Sequence, residues 1–210
     1  MQISRGEKVI MGIFDFFSKK QTRLEKVTST SSSQLRINSL LKMVDESTHI
    51  IQNTNNLDIV LGRYETVRMH LIERPKNDDL IIENLDETME GLRDIASDGI
   101  SNCCIGAFNE KVKKAMEMKT TKGQANNLIK VIKYYEDNLD KIPGELIEYC
   151  ESDIESCKQA ISDIKDKNNK WTTLIKEAGI NIPDWWKRDW KEELTEKRNP
   201  GRAEGGQIER

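Results

Sequence analysis

Little in this 210-residue sequence would interrupt a helix: it holds only 4 prolines and 12 glycines. Hydrophobic residues make up 36% and aromatics 6%, too few for the near-continuous apolar strands of a buried parallel sheet. Neither charge sign is in excess, with 33 Lys and Arg against 36 Asp and Glu and a net charge of -3. A dedicated nucleic-acid binder shows a clear basic surplus, so this balance argues against that class. No apolar run approaches the roughly 20 residues of a membrane-spanning helix, and no h-region followed by a small-residue cleavage site opens the sequence. A cytoplasmic protein is the expectation.

The usual signatures of chemistry are also missing. There is no glycine-rich phosphate loop and no Gly-x-Ser-x-Gly turn. The four cysteines contain no Cys-x-x-Cys pair: Cys103 and Cys104 are adjacent, and Cys150 and Cys157 are seven apart. On a helix the latter two would lie about 10 Å apart, beyond disulfide reach. They are expected to act as small hydrophobes. Glu46-Ser-Thr-His49 has the Glu-x-x-His step of di-iron bundles. However, Val67 stands where a second copy ahead of His70 would need Glu, and Glu46 and His49 fall away from the apolar face of their helix. No catalytic residue, metal ligand or cofactor is assigned, and no enzymatic activity is expected.

What the sequence does contain is helical periodicity in a chain that is 33% charged. Gln34–Gln52 places Ile37, Leu40, Leu41, Val44 and Ile51 on one face. Asn53–Asn56 breaks it, and Asn55 or Asn56 caps a second helix from Leu57 to about Glu73. In that helix Ile59, Val60, Tyr64, Val67 and Leu71 are expected inside, with Pro75 as the stop. A long stretch follows from Asp78 to Met118, in which Gly91, Gly99 and Gly106 either permit close helix approach or mark a bend. From Gln124, the residues Ala125, Leu128, Ile132, Tyr135, Leu139 and Ile142 repeat in steps of 3 and 4 until Pro143-Gly144.

The most regular repeat runs through Ile147, Cys150, Ile154, Cys157, Ile161, Ile164, Asn168, Trp171, Ile175 and Ala178. It predicts one helix about 50 Å long with a coiled-coil-type seam. Asn168 on that seam either fixes register or, with Asn169 behind it, marks a local break. A terminal helix is expected from Pro183 or Asp184 to about Lys197. The predicted fold is all-α, an elongated helical bundle with a long coiled-coil-like antiparallel pair. The helical domain spans 34–197, followed by a disordered tail over 198–210.

The opening of the chain differs from the rest. Arg5-Gly6-Glu7 can be encoded by a purine-rich, ribosome-binding-like stretch ahead of Met11, so residues 1–10 are expected to be an upstream extension. Residues 11–33 then form an amphipathic tip and a Ser/Thr linker. Ile13, Phe14, Phe16 and Phe17 beside Lys19 and Lys20 suit a membrane interface, where rings bury and lysines stay with headgroups. Asp15 interrupts the run and the segment is short for a stable anchor, so docking of this greasy segment on the chain's own helices is favoured.

All four tryptophans lie in the last fifth of the sequence: Trp171, Trp185, Trp186 and Trp190. Trp186 and Trp190 would share a face at i, i+4 of one helix, near Arg188. Three roles compete: closing the apolar end of the bundle, forming a partner-binding patch, and stacking on single-stranded bases. The first is favoured, and Asp184, Asp189, Glu192 and Glu193 count against the third.

Leu40-Leu-Lys-Met-Val-Asp-Glu-Ser-Thr-His-Ile-Ile-Gln-Asn-Thr-Asn-Asn-Leu-Asp58, continuing to Gly62-Arg63-Tyr64, resembles a segment of a family of small helical proteins from low-GC Gram-positive bacteria and their phages. The Met11-Gly-Ile-Phe-Asp-Phe-Phe17 opening and Lys119-Thr-Thr-Lys-Gly123 are similar to that group as well. The likeness covers about half the chain, and Val60-Leu61-Gly62 departs from the family's aromatic-Ser step. It implies a helical fold and a bacterial or phage origin, and no activity.

The expectation is therefore a non-enzymatic helical interaction or scaffold module. Trp185, Trp186, Trp190, Arg188 and Asn168 are the candidate partner contacts, and self-association through helix 147–178 is a specific form of it. The alternative is a peripheral membrane protein held by residues 13–20.

Overall fold

The computed structural model describes residues 32–72 and 85–198. The membrane-contact candidates Ile13–Lys20, the Pro75 stop, the start of the Asp78–Met118 stretch and the tail beyond 198 lie outside them. Among the described residues every element is helical, and no helix is long and apolar enough to cross a membrane. The helices fall into two compact units, one of residues up to Asn102 plus Ile142–Cys150, the other of Cys103–Lys141 plus the chain from Glu151 onward.

The first unit packs three helices, α1 (Ser32–Asn53), α2 (Leu57–Ile72) and α3 (Leu85–Asn102). Its core is aliphatic: Val44, Ile51, Leu57, Val60, Leu61, Val67, Leu71, Leu92, Ile95 and Ile100 are buried, with the ring of Tyr64 among them. Ile59, expected inside, is exposed, because the buried set follows Leu57, Val60, Leu61 and Tyr64 and leaves Ile59 on the opposite side. Gly99 supplies a close approach. A Cβ there would lie 2.9 Å from Ile51 Cγ2 and 3.3 Å from Val60 Cγ1, so α3 meets α1 and α2 across a backbone with no side chain.

At 102/103 the chain passes into the second unit through a π-helical turn, Cys103–Ala107. Such a turn frees a carbonyl from the regular ladder. Here Tyr135 Oη donates to Cys103 O at 2.7 Å, and Phe108 meets the Tyr135 ring edge-on at 5.0 Å between centroids. α4 (Phe108–Met116) and α5 (Thr121–Leu139) form a packed pair. Thr120 caps α5 by accepting from Gly123 N at 3.0 Å. The whole expected α5 stripe, Ala125 to Ile142, is buried.

The expected single 50 Å helix over 147–178 is not present. Instead α6 (Gly144–Lys165) stops, and α7 (Lys170–Glu177) restarts after a turn. The cause is local polar chemistry in Asp166-Lys-Asn-Asn169. Asp166 Oδ1 accepts from Asn168 N at 2.8 Å, and Asn169 accepts from Trp171 N at 3.1 Å as an N-cap. Asn169 Nδ2 also donates to Asp163 O at 2.7 Å, satisfying an end carbonyl of α6. A second irregularity sits at Cys150, whose φ of -134° and ψ of 23° are not helical; there the chain leaves the first unit for the second.

α7 closes on Gly179, at φ +66°, with Ile180 N bonded to Ile175 O and Gly179 N to Lys176 O. This pair of bonds terminates a helix through a left-handed residue, which glycine adopts without a Cβ penalty. The expected terminal helix is likewise two pieces, a 3-10 turn over Asp184–Lys187 and α8 (Trp190–Arg198), separated by extended backbone at Arg188.

Candidate functional site

The sequence directed attention to the C-terminal tryptophans, and the second unit assigns each a distinct environment. Trp190 is fully buried and Trp186 is 4% exposed, whereas Trp185 and Trp171 are half-buried. Trp186 and Trp190 do not share a helix face as expected, because the break at Arg188 lies between them. Asn168 is exposed on the turn that ends α6. Of the five proposed contact residues, Trp186 and Trp190 are interior, and Trp185, Arg188 and Asn168 reach the surface.

Around Trp190 the unit builds a cluster that sequence reading missed. The Arg188 guanidinium lies 3.5 Å from the ring centroid and Lys158 Nζ 4.2 Å. Desolvated cations are attracted to the ring quadrupole. Arg188 is held in turn by a two-bond fork to Asp140, at 2.5 and 3.1 Å, and by Glu193 at 3.0 Å. The bond it donates to Asp140 is the chief reason its pKa is raised beyond its ordinary value, so it stays charged.

Beneath this sits a buried ion pair, Lys165 Nζ to Glu136 Oε1 at 2.5 Å. Lys165 also donates to the backbone carbonyl of Arg188. One lysine thus joins α5, α6 and the turn that carries Trp185 and Trp186. The signal for it was present: Lys158 and Lys165 each follow directly on seam residues, Cys157 and Ile164. Helical periodicity, however, treats any lysine as solvent-facing, and these are buried.

Trp185 stands at the edge of the cluster. Its ring packs on Trp186, 5.5 Å between centroids, and Lys133 Nζ lies 5.5 Å over it. The indole N–H groups of Trp186 and Trp190 and the hydroxyl of Ser162 are buried with no acceptor or donor among the described residues. A groove of about 810 Å³ runs along α6 and α8, lined by Ser152, Ser156, Gln159, Asp163, Lys191 and Leu194 among others. Lys191 and Asp163 close an ion pair across it at 2.7 Å.

All four cysteines are free thiols and buried. Cys104 lies against Cys157; that contact and burial push its thiol well above the ordinary range, where it is unreactive. Among the described residues no three His, Cys, Asp or Glu side chains gather into a set that could hold a metal ion. Glu46 and His49 are both exposed on α1.

Polar side chains also organise the first unit, near Glu145. Tyr64 Oη donates to Glu145 Oε1 at 2.7 Å, and Arg68 Nε pairs with the same oxygen at 2.9 Å. Burial, then the bond to Glu145, raise the Tyr64 phenol far above its ordinary value. This pins the start of α6 to α2.

Comparison with protein-family models, with curated proteins and with solved structures finds no match to this chain.

Proposed function

We propose that this chain is a non-enzymatic helical module whose work is to engage another protein, with Trp185 as the side chain a partner closes on. The observation that carries this reading is the way Trp185 is presented. It is partly exposed, yet it stands on a turn fixed by the buried Lys165, by Arg188 and by the packed ring of Trp186. A partly exposed tryptophan already held in one conformation is the type of residue that dominates binding energy, because little ordering remains to be done on association. Trp186 supports it directly, and Trp190 holds Arg188 at the end of the same turn.

Self-association through the 147–178 stretch is a narrower version of this reading. Ile154, Cys157, Ile161, Ile164 and Ile175 are buried within the single chain, so the seam makes no demand for a second copy. The burial pattern favours a monomer by light scattering at high micromolar concentration.

The test compares the full chain with Trp185→Ala in tagged purification from the native host. A partner recovered in stoichiometric amount with the wild type and lost with the variant, at unchanged helicity and melting temperature, supports the proposal. Retention of the same partner by the variant, or a partnerless wild type, overturns it.

A further inference from the structure

The whole-chain charge of -3 conceals a strongly basic stretch. Between Phe108 and Lys133 there are seven lysines, at 111, 113, 114, 119, 122, 130 and 133, against Glu110 and Glu117 only. That is an excess of five positive charges, leaving the remainder of the chain at -8. The stretch forms the α4–α5 hairpin, whose two helices pack on each other. On α5, Lys122, Lys130 and Lys133 recur at steps of 8 and 3, along one exposed face. Lys114 pairs with Glu110 and Lys133 with Asp137. Among the described residues Lys113, Lys119, Lys122 and Lys130 make no ion pair.

The tip of this hairpin is both apolar and rigid. Met118 is 45% exposed, followed by exposed Lys119, Thr120, Thr121 and Lys122. Its backbone is fixed from inside: Gln124 Nε2 donates to Met116 O and to Met118 O, each at 3.0 Å. Gly123 lets the loop close, since a Cβ there would lie 2.9 Å from Thr120 Oγ1. Met118 lies beside this closed loop, its Cε 3.8 Å from where a Gly123 Cβ would stand, and remains 45% exposed next to Lys119.

From this juxtaposition we propose that the α4–α5 tip is a contact for an anionic lipid surface, with Met118 entering the headgroup–acyl boundary and Lys113, Lys119 and Lys122 on lipid phosphates. An exposed apolar side chain ringed by lysines matches the division of a membrane interface, where the apolar part buries and the ammonium groups stay with the headgroups. Each lysine near such a surface strengthens binding about fivefold. A nucleic-acid backbone would be met by the same lysines, but it offers no place for Met118, and the tip carries no aromatic ring on which a base could stack. The proposal is independent of the protein-partner reading above.

The test is co-sedimentation of the full chain with phosphatidylglycerol vesicles and with phosphatidylcholine vesicles. The wild type should bind the anionic vesicles preferentially and lose them in high salt. Lys119→Ala with Lys122→Ala should weaken that binding roughly thirtyfold, and Met118→Ser should weaken it further, with helicity and melting temperature unchanged. Wild-type levels of binding by these variants would overturn the proposal, and would move the contact to residues 13–20. So would a wild type that ignores both vesicles, or variants that lose binding to a single-stranded DNA oligonucleotide while keeping the vesicles.

Discussion

The two units bury their interiors by different means. In the first, aliphatic side chains from α1, α2 and α3 interlock around Gly99, and the polar groups around Glu145 stand at its margin. In the second, Phe108, Tyr135, Trp186 and Trp190 are packed with Lys158, Lys165 and Glu136, so charge and π-systems are part of the core. An aliphatic core responds chiefly to volume. A core holding an ion pair and cation-stacked rings responds to the loss of either partner, because the one left behind is a charge out of water.

The largest expected effect is therefore in the second unit. Glu136→Ala leaves Lys165 buried without its counter-charge and should destabilise by about 3–5 kcal/mol in denaturant unfolding. The double change Glu136→Leu with Lys165→Met removes both charges and should recover most of that loss. If it does not, the bond from Lys165 to the Arg188 carbonyl matters more than the pair. In the first unit, Gly99→Ala forces a methyl against Ile51 and Val60 and should cost about 1–3 kcal/mol by the same measurement. An unchanged midpoint would mean that α3 sits further from its neighbours than 2.9 Å implies. Arg68→Ala should cost under about 1 kcal/mol, since Arg68 and Glu145 are each about a third exposed and water screens the pair.

Alkaline pH sharpens the comparison in another way. Tyr64 and Tyr135, one in each unit, both have phenols raised above their ordinary pKa of 10.0, chiefly by burial. The folded state therefore holds their protons more tightly than the unfolded state does. Their contribution is fully present below pH 10 and is lost as pH climbs past it, because only the unfolded chain ionises there. Stability should fall above pH 10, and Tyr135→Phe should flatten that fall while lowering stability at neutral pH by removing the bond to Cys103 O. A slope unchanged by the substitution would contradict the burial of that phenol.

The same contrast explains what could be read in advance. The aliphatic stripes of α1, α2 and α5 were legible, because a 3.6-residue period is the direct imprint of one buried face. So was the fate of the cysteines, as small apolar side chains on that face. The length of the last helix was misjudged, although Asn168-Asn169 had offered the break as the alternative: the 3-4 spacing continues unbroken through Asn168, and spacing says nothing of Asp166 and Asn169 turning their side chains onto the backbone. The π-turn at Cys103–Ala107 was hinted at by Gly106 as a possible bend, whereas the bend at Cys150 left no mark, since that residue keeps its place on the stripe. Around Trp190, neither Lys165 nor Glu136 could be found by periodicity, because their partners come from separate elements. The basic hairpin tip was fully visible in the composition of residues 108–133 but averaged away in the charge of the whole chain.

The central claim is that Trp186 and Trp190 are buried while Trp185 is partly exposed and presented. Hydrogen exchange at the indole N–H groups, followed by NMR in the full chain, tests this most directly. Trp186 and Trp190 should remain protected long after Trp185 has exchanged. Exchange of Trp190 as fast as that of Trp185 would place Trp190 at the surface and remove the support on which the presentation of Trp185 rests.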